Sequence, residues 1–217
     1  VSEQPAEVEA CLAATGRRPV QLLAETVELG PHWSLVHATH ADASERELIR
    51  ASGATVVLCP LTEAYLGDGL FPAAEFAAGG GRLAVGTDSN VRLDAVEELR
   101  WLEYGQRLMT GRRGCFADAD GLGASLWRRL GAGGAAPLGL PVGTIEVGAH
   151  ADVLTLDPQN PLFAGADGPS SVLDALLTAG DARCIDQVWV GGQRHAPLDG
   201  EDYGPAVRAI MRGEGSR

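Results

Sequence analysis

The chain has 217 residues, 17 basic against 29 acidic, for a formal net charge of −12. Every basic residue is Arg, and the acidic balance excludes a phosphate-tracking nucleic-acid binder, which needs a basic face. Apolar residues make up 45%, enough for a packed core and too many for bulk disorder.

In chain order, Val1-Ser2-Glu3-Gln4 carries neither the basic nor the apolar region of a signal peptide. Pro5–Thr15 and Pro19–Leu29 have helical character, with Pro19 well placed to open the second. Ser34–Thr39 follows as a first short, apolar strand. Asp42–Ala51 reads as a helix capped by Asp42 or Ser44. Thr55–Cys59 is a second strand, and Cys59-Pro60 leads into a loop carrying Thr62, Glu63 and Asp68. Pro72–Ala78 reads as a helix ended by Gly79-Gly80-Gly81, and Leu83–Thr87 as a third strand. Leu93, Val96, Leu99 and Leu102 mark one face of a helix reaching about Leu108, with Glu103 and Arg107 as an i,i+4 pair.

After Thr110 the texture changes. Gly111–Gly114 reads as a loop, Ala119–Leu130 as a helix, and Gly131–Gly139 as a Gly/Ala/Pro-rich connection. Thr144 to Leu156 reads as a strand, a turn at Gly148 and a second strand from Ala151. Ser171–Leu177 is helical, Ile185–Val190 is a strand ending at a Gly191-Gly192 turn, and Asp202–Arg212 is a last helix before a frayed tail. Apolar strands alternating with helices imply parallel βα units covered on both faces. No run approaches about 18 consecutive apolar residues, so no membrane span and no membrane partner is expected. Cys11, Cys59, Cys115 and Cys184 form no C-x-x-C pair, which suits reduced thiols in the cytoplasm.

In βα folds of the barrel type, chemistry gathers at the carboxyl ends of the strands. There the first strand offers His37, Thr39 and His40, and the third offers Asp88-Ser89-Asn90. An imidazole and a carboxylate at neighbouring strand ends can share a metal or a proton path. Each also has a plain structural role open to it. His37 suits a hydrogen-bonded core histidine, and Asp88 or Ser89 suits a cap for the helix beginning near Asp94. His40 reads as a loop residue, and His150 and His195 as surface groups. Cys59 reads as an inert packed thiol. The triple glycine at 79–81 lacks the G-K-[ST] of a phosphate loop, and no G-x-S-x-G elbow supports a serine nucleophile.

Together these strand ends resemble the second half of an amidohydrolase-superfamily enzyme, a metal-bearing (β/α)8 barrel joined to a small β-sandwich. The specific match is Gly143-Thr-Ile-Glu-Val-Gly-Ala-His-Ala-Asp-Val-Leu-Thr-Leu-Asp157, which fits the family's G-x-x-x-x-G-x-x-A-D-x-x-x-x-D sandwich strand. Leu35-Val-His-Ala-Thr-His40, the run Leu58–Pro72 and the run Val96–Leu108 resemble the formimidoylglutamate deiminase branch. The resemblance implies residues 1–138 as the C-terminal half of the barrel, 139–200 as part of the sandwich, and 201–217 as a terminal helix and tail. It implies zinc as cofactor, Asp88 as metal ligand and proton acceptor, His37 beside the attacking oxygen, and Glu3 as proton shuttle. Glu3 enters because the family's fifth strand ends in H-I-A-E-Q, and Ser2-Glu3-Gln4 falls on its end.

The implied reaction hydrolyses N-formimidoyl-L-glutamate to N-formyl-L-glutamate and ammonia, in a homodimeric full-length enzyme with a small-molecule substrate. By the same resemblance, the H-x-H motif and the strand-5 His lie before Val1. A full barrel takes about 250 residues, so a fragment is expected, poorly soluble, binding zinc poorly and inactive alone. Departures at Asn90, Leu61 and Tyr65 bear on substrate, leaving a related aminohydrolase on another amidine or heterocycle, or a non-catalytic remnant, as alternatives.

Overall fold

Three short strands form a parallel sheet in sequential order: β1 (Ser34–Val36), β2 (Thr55–Leu58) and β3 (Arg82–Val85). Leu35 pairs with Val56, and Val56 with Leu83. All three side chains are buried, as expected where helices cover a parallel sheet. The computed structural model describes residues 1–195 together with Pro205, Val207, Arg208, Met211 and Arg212. Most of the helix expected at 202–212, and the tail, therefore lie outside the described residues.

Two helices, α1 (Pro5–Thr15) and α2 (Pro19–Thr26), precede β1, each with Pro in its first turn, where a missing N–H costs nothing. Helix α3 (Ala43–Ser52) joins β1 to β2. It opens on a capping box: Asp42 accepts the Glu45 N–H at 2.9 Å, and Glu45 accepts the Asp42 N–H at 3.0 Å. Glu45 is fully buried yet satisfied, because it also receives Val20 N–H and the Arg18 guanidinium. It thereby ties α2 to α3. A buried carboxylate is tolerated only with such a complete set of donors.

The segment after β2 is a helix rather than the expected loop. Helix α4 (Pro60–Leu66) starts on Pro60 and ends at Gly67, which adopts φ 75°. Pro at the first position and a left-handed Gly at the end bracket a single helical stretch. Helix α5 (Ala73–Ala78) then returns the chain to β3. Helix α6 (Ala95–Thr110) is capped by Asp94, which accepts N–H groups from Val96 and Glu97. Neither Asp88 nor Ser89 caps it.

A second correction concerns 131–139. Those residues continue α7 (Leu122–Leu138) instead of forming a connection. Helix α7 packs on β3 and β2, and glycine is what permits the approach. A Cβ on Gly133 would lie 1.8 Å from the Leu83 carbonyl oxygen. Thr55 Oγ1 donates to the Gly133 carbonyl at 3.2 Å. The helix backbone thus rests directly on the sheet, and tertiary packing overrides poor helix propensity.

Beyond α7 lies an antiparallel sheet in the order β4 (Val153–Leu156), β5 (Ile185–Val190), β6 (Gln193–His195), with α8 (Pro169–Ala179) packed on α7 and α6. The strand expected at 144–147 does not form: Ile145 and Val147 are fully exposed, and no strand pairs with them among the described residues. Alternating apolar residues make a strand only where a partner supplies the ladder.

Candidate functional site

His37 follows β1, Cys59 follows β2 and Asp88 follows β3 closely, so three parallel strand ends present their side chains on one side. The amino-terminal segment completes the group. Val1 N donates to Val36 O at 3.0 Å, Ala38 N–H donates to Val1 O at 3.0 Å, and His40 N–H donates to Ser2 O at 2.9 Å. These bonds lay residues 1–3 along the free edge of β1. Glu7 holds them from the other side, its two oxygens accepting Ser2 and Glu3 N–H at 2.8 Å each.

Among the described residues, the non-glycine residues with positive φ are Ser2 (54°), His37 (67°), Ala38 (52°) and Asp88 (50°). All four sit at this mouth. The left-handed conformation costs L-residues about 1 kcal/mol or more each and persists only where surrounding contacts impose it. For Ser2, His37 and Ala38 the hydrogen bonds just described, with His37 N–H to Val57 O at 2.8 Å, do so.

Glu3, His37 and Asp88 converge. His37 Nε2 lies 3.5 Å from Glu3 Oε1 and 3.8 Å from Asp88 Oδ2. The imidazole is buried, while the two carboxylates are roughly one-third exposed. On its other side, His37 Nδ1 meets Glu63 Oε1 at 3.2 Å. That hydrogen bond, aided by the charge of Glu3 and opposed by burial, raises the His37 pKa.

Of three further neighbours, Glu63 and Asp68 had no definite role from sequence, and Cys59 read as an inert packed thiol. Glu63 is buried on α4 and also accepts the Cys59 N–H at 2.9 Å. Asp68 is buried after α4. It accepts from the Gln4 amide, and its carbonyl meets His40 Nε2 at 2.8 Å. Burial first, and then the charge of Glu3, push the Asp68 carboxyl up. Cys59 is the third: His37, Cys59 and Asp88 each offer one ligand atom, all within 4.8 Å of one another. Nitrogen, sulfur and oxygen donors suit a zinc-like divalent cation. The signal for Glu63 was its place four residues after Cys59, which becomes readable only once 60–66 is known to be helical.

The remaining sequence candidates fall away from this cluster or line it. Asn90 Nδ2 reaches Thr62 Oγ1 at 3.4 Å. Leu61 N–H donates to Glu98 Oε2 at 2.9 Å, and the Tyr65 side chain is exposed. His150 and His195 are exposed, as the sequence suggested.

Burial, with the charges of Glu63 and Asp88, pushes the Cys59 thiol up to about 12. At pH 8, therefore, a disulfide reagent modifies the half-buried Cys11 and Cys115 in the native protein. The buried Cys59 and Cys184 react only after denaturation. Fast labelling of Cys59, read by peptide mapping, would contradict this.

Glu98, fully buried on α6, has no partner on Oε1 among the described residues. Burial pushes its carboxyl up to about 7, more than the Leu61 N–H pulls it down. The folded state thus keeps a proton that the unfolded state loses near the ordinary 4.5. Its contribution is full below pH 4.5, falls as pH rises to about 7, and stays low above that. Glu98→Gln keeps the acceptor for Leu61 and raises Tm at pH 8 more than at pH 5. An equal shift at both pH values would exclude a retained proton.

A profile of the amidohydrolase family matches residues 1–194. The formimidoylglutamate deiminase of Pseudomonas aeruginosa is 48% identical over 98% of this chain and 47% of its own length. A 5-methylthioadenosine/S-adenosylhomocysteine deaminase of Halobacterium salinarum is 35% identical over 91% of this chain and 46% of its own. Among solved structures, an amidohydrolase from Brucella melitensis superposes with a TM-score of 0.85 at 38% identity, covering 99% of this chain and 48% of that one. An adenosine deaminase from Xanthomonas campestris, solved with bound zinc, gives 0.85 at 26% identity over 98% and 49%. The chain spans about half the length of the curated relatives it matches. Three sequential parallel βα units, a cluster of metal-type donors at their carboxyl ends, and a profile match across nearly the whole described chain lead to one conclusion: the chain belongs to the amidohydrolase family.

Proposed function

We propose that the full-length protein hydrolyses the C=N bond of N-formimidoyl-L-glutamate, giving N-formyl-L-glutamate and ammonia. The observation that carries this reading is the convergence of Glu3, His37 and Asp88 on one mouth. It occurs in a chain 48% identical, over 98% of its length, to a formimidoylglutamate deiminase.

Asp88 would hold a zinc-type divalent cation, with the His37 and Cys59 donors close by. When bound, such a cation lowers the pKa of water to about 7 and polarises the atom under attack. The Asp88 carboxylate accepts the proton of the attacking water. His37 Nε2, facing both Glu3 and Asp88, accepts a hydrogen bond from the incoming water and, once protonated, holds the developing charge on its oxygen. Water adds to the formimino carbon, giving a tetrahedral centre bearing O and two N. Both protons of the water, the one taken by Asp88 and the one on the new hydroxyl, pass to the terminal nitrogen with Glu3 as the group that delivers them. The C–N bond then breaks, with neutral ammonia leaving and the carbon keeping its oxygen as C=O. The left-handed backbone at His37 and Asp88 aims both side chains inward from their strands, which is the positioning such a reaction needs.

Ammonia release by the full-length protein tests the reading. Formimidoylglutamate should be turned over faster than guanine or 5-methylthioadenosine by at least about 10²-fold in kcat/KM, roughly 3 kcal/mol of transition-state discrimination. A heterocycle turned over faster would assign the site to another aminohydrolase.

A further inference from the structure

We infer that Glu63 is a positioning residue that keeps a proton on His37 Nδ1, leaving Nε2 as the ring nitrogen offered to the reacting groups. The inference rests on the assignment of His37 to the reaction just given, but its principal test does not depend on turnover.

The argument starts from the chain around α4. Pro60 opens the helix and has no N–H, so the first free donor at this end is the Cys59 N–H, which finds Glu63 Oε1 at 2.9 Å. The backbone of β2 thereby fixes one carboxylate oxygen in place. The same Oε1 lies 3.2 Å from His37 Nδ1. A carboxylate only accepts, so the nitrogen facing it must carry hydrogen. Glu63 and His37 are both buried, so water competes poorly for either group. The backbone that carries the ring is itself held, at φ 67°, by His37 N–H to Val57 O and Ala38 N–H to Val1 O.

Opposite Glu63, Nε2 meets Glu3 Oε1 at 3.5 Å and Asp88 Oδ2 at 3.8 Å. These separations are too long for direct hydrogen bonds, leaving Nε2 available to a reacting oxygen between them. The imidazole thus has one nitrogen committed to the scaffold and one to chemistry. A carboxylate behind an active histidine commonly serves this purpose, fixing tautomer and ring orientation together. Glu63 is not a catalytic residue, since its carboxylate stands behind the ring, away from Glu3 and Asp88.

The test is nitrogen NMR of the ¹⁵N-histidine-labelled full-length protein at a pH where His37 is neutral, with His37→Gln identifying its signals among those of the other histidines. His37 should show a protonated Nδ1 and an unprotonated Nε2. Neutral His37 with its hydrogen on Nε2 in the unaltered protein overturns the inference, whatever any variant does. Glu63→Met should shift His37 to a mixture of tautomers. It should also lower kcat on the order of 10²-fold with KM within a few-fold. Glu63→Gln retains an acceptor at the same place, so it should keep the Nδ1–H pattern and recover most of kcat. An unaltered tautomer in Glu63→Met would overturn the inference. The expected tautomer in a protein that turns over no amidine would instead refute the function and leave the Glu63 assignment standing.

Discussion

If the proposed reaction holds, Asp88→Asn in the full-length protein should lower ammonia release from formimidoylglutamate on the order of 10³-fold or more, with Tm changed by no more than a few degrees. The side chain is about one-third exposed, caps no helix and forms no buried ion pair that the fold requires. Its removal therefore costs little stability, and the amide is nearly the same size. The carboxylate, however, is asked to take a proton and to hold a cation, and an amide does neither. Metal content measured alongside turnover separates the two effects. Normal zinc with lost turnover isolates proton transfer, whereas loss of both marks a ligand. Full activity in Asp88→Asn would remove Asp88 from the reaction and with it the proposed mechanism.

The second large effect is on folding. Gly133→Val should destabilise the protein by about 3 kcal/mol or more, the upper end for forcing extra atoms into a packed interior. In a domain of this size that amounts to roughly 6–12 °C in Tm. The cause is backbone on backbone: a Cβ at 133 would stand 1.8 Å from the Leu83 carbonyl oxygen, so α7 must lift off β3. Gly134 nearby is an internal control, because its Cβ would meet nothing closer than the Ala84 methyl at 3.8 Å. Gly134→Ala should thus be neutral or slightly stabilising, since Ala is the better helix former. If thermal melts rank the two substitutions equally, the close approach of α7 to the sheet is not what holds these elements together.

Much of the fold was legible because local chemistry and tertiary context agreed. Helix α1 runs over Pro5–Thr15, as the sequence suggested, with Pro5 in its first turn and Gly16 closing it in the left-handed conformation. The three parallel strands lie within a residue or a few of their apolar runs, their carboxyl-side ends shortened to Val36, Leu58 and Val85. The trimmed residues at those ends are the ones that leave the ladder to face the site. Where local and global preferences diverged, sequence misled. Gly131–Gly139 has a linker's composition but serves as a helix face lying on β3. Ile145 and Val147 alternate like a strand and remain exposed, since no neighbouring strand pairs with them among the described residues.

The candidate site shows the same division. His37 and Asp88 could be found because strand ends are where βα folds collect chemistry, and Glu3 because a short motif resembles that of a known family. Glu63, Cys59 and Asp68 could not be ranked from sequence. Each has an unremarkable local reading, and only the packing of α4 against the strand ends brings them to the imidazole.

The sequence by itself determined an acidic α/β chain of the amidohydrolase type, much of the order of its elements, and two candidate residues at strand ends. Only the tertiary structure decided that residues 1–3 lie along β1 and bring Glu3 to His37. It likewise decided that Asp94 rather than Asp88 caps α6, and that Glu63 takes one ring nitrogen and leaves the other free. The physical reason is that periodicity and capping act over a few residues. A hydrogen bond between residues 37 and 63, or between 1 and 36, depends on where the sheet places both ends.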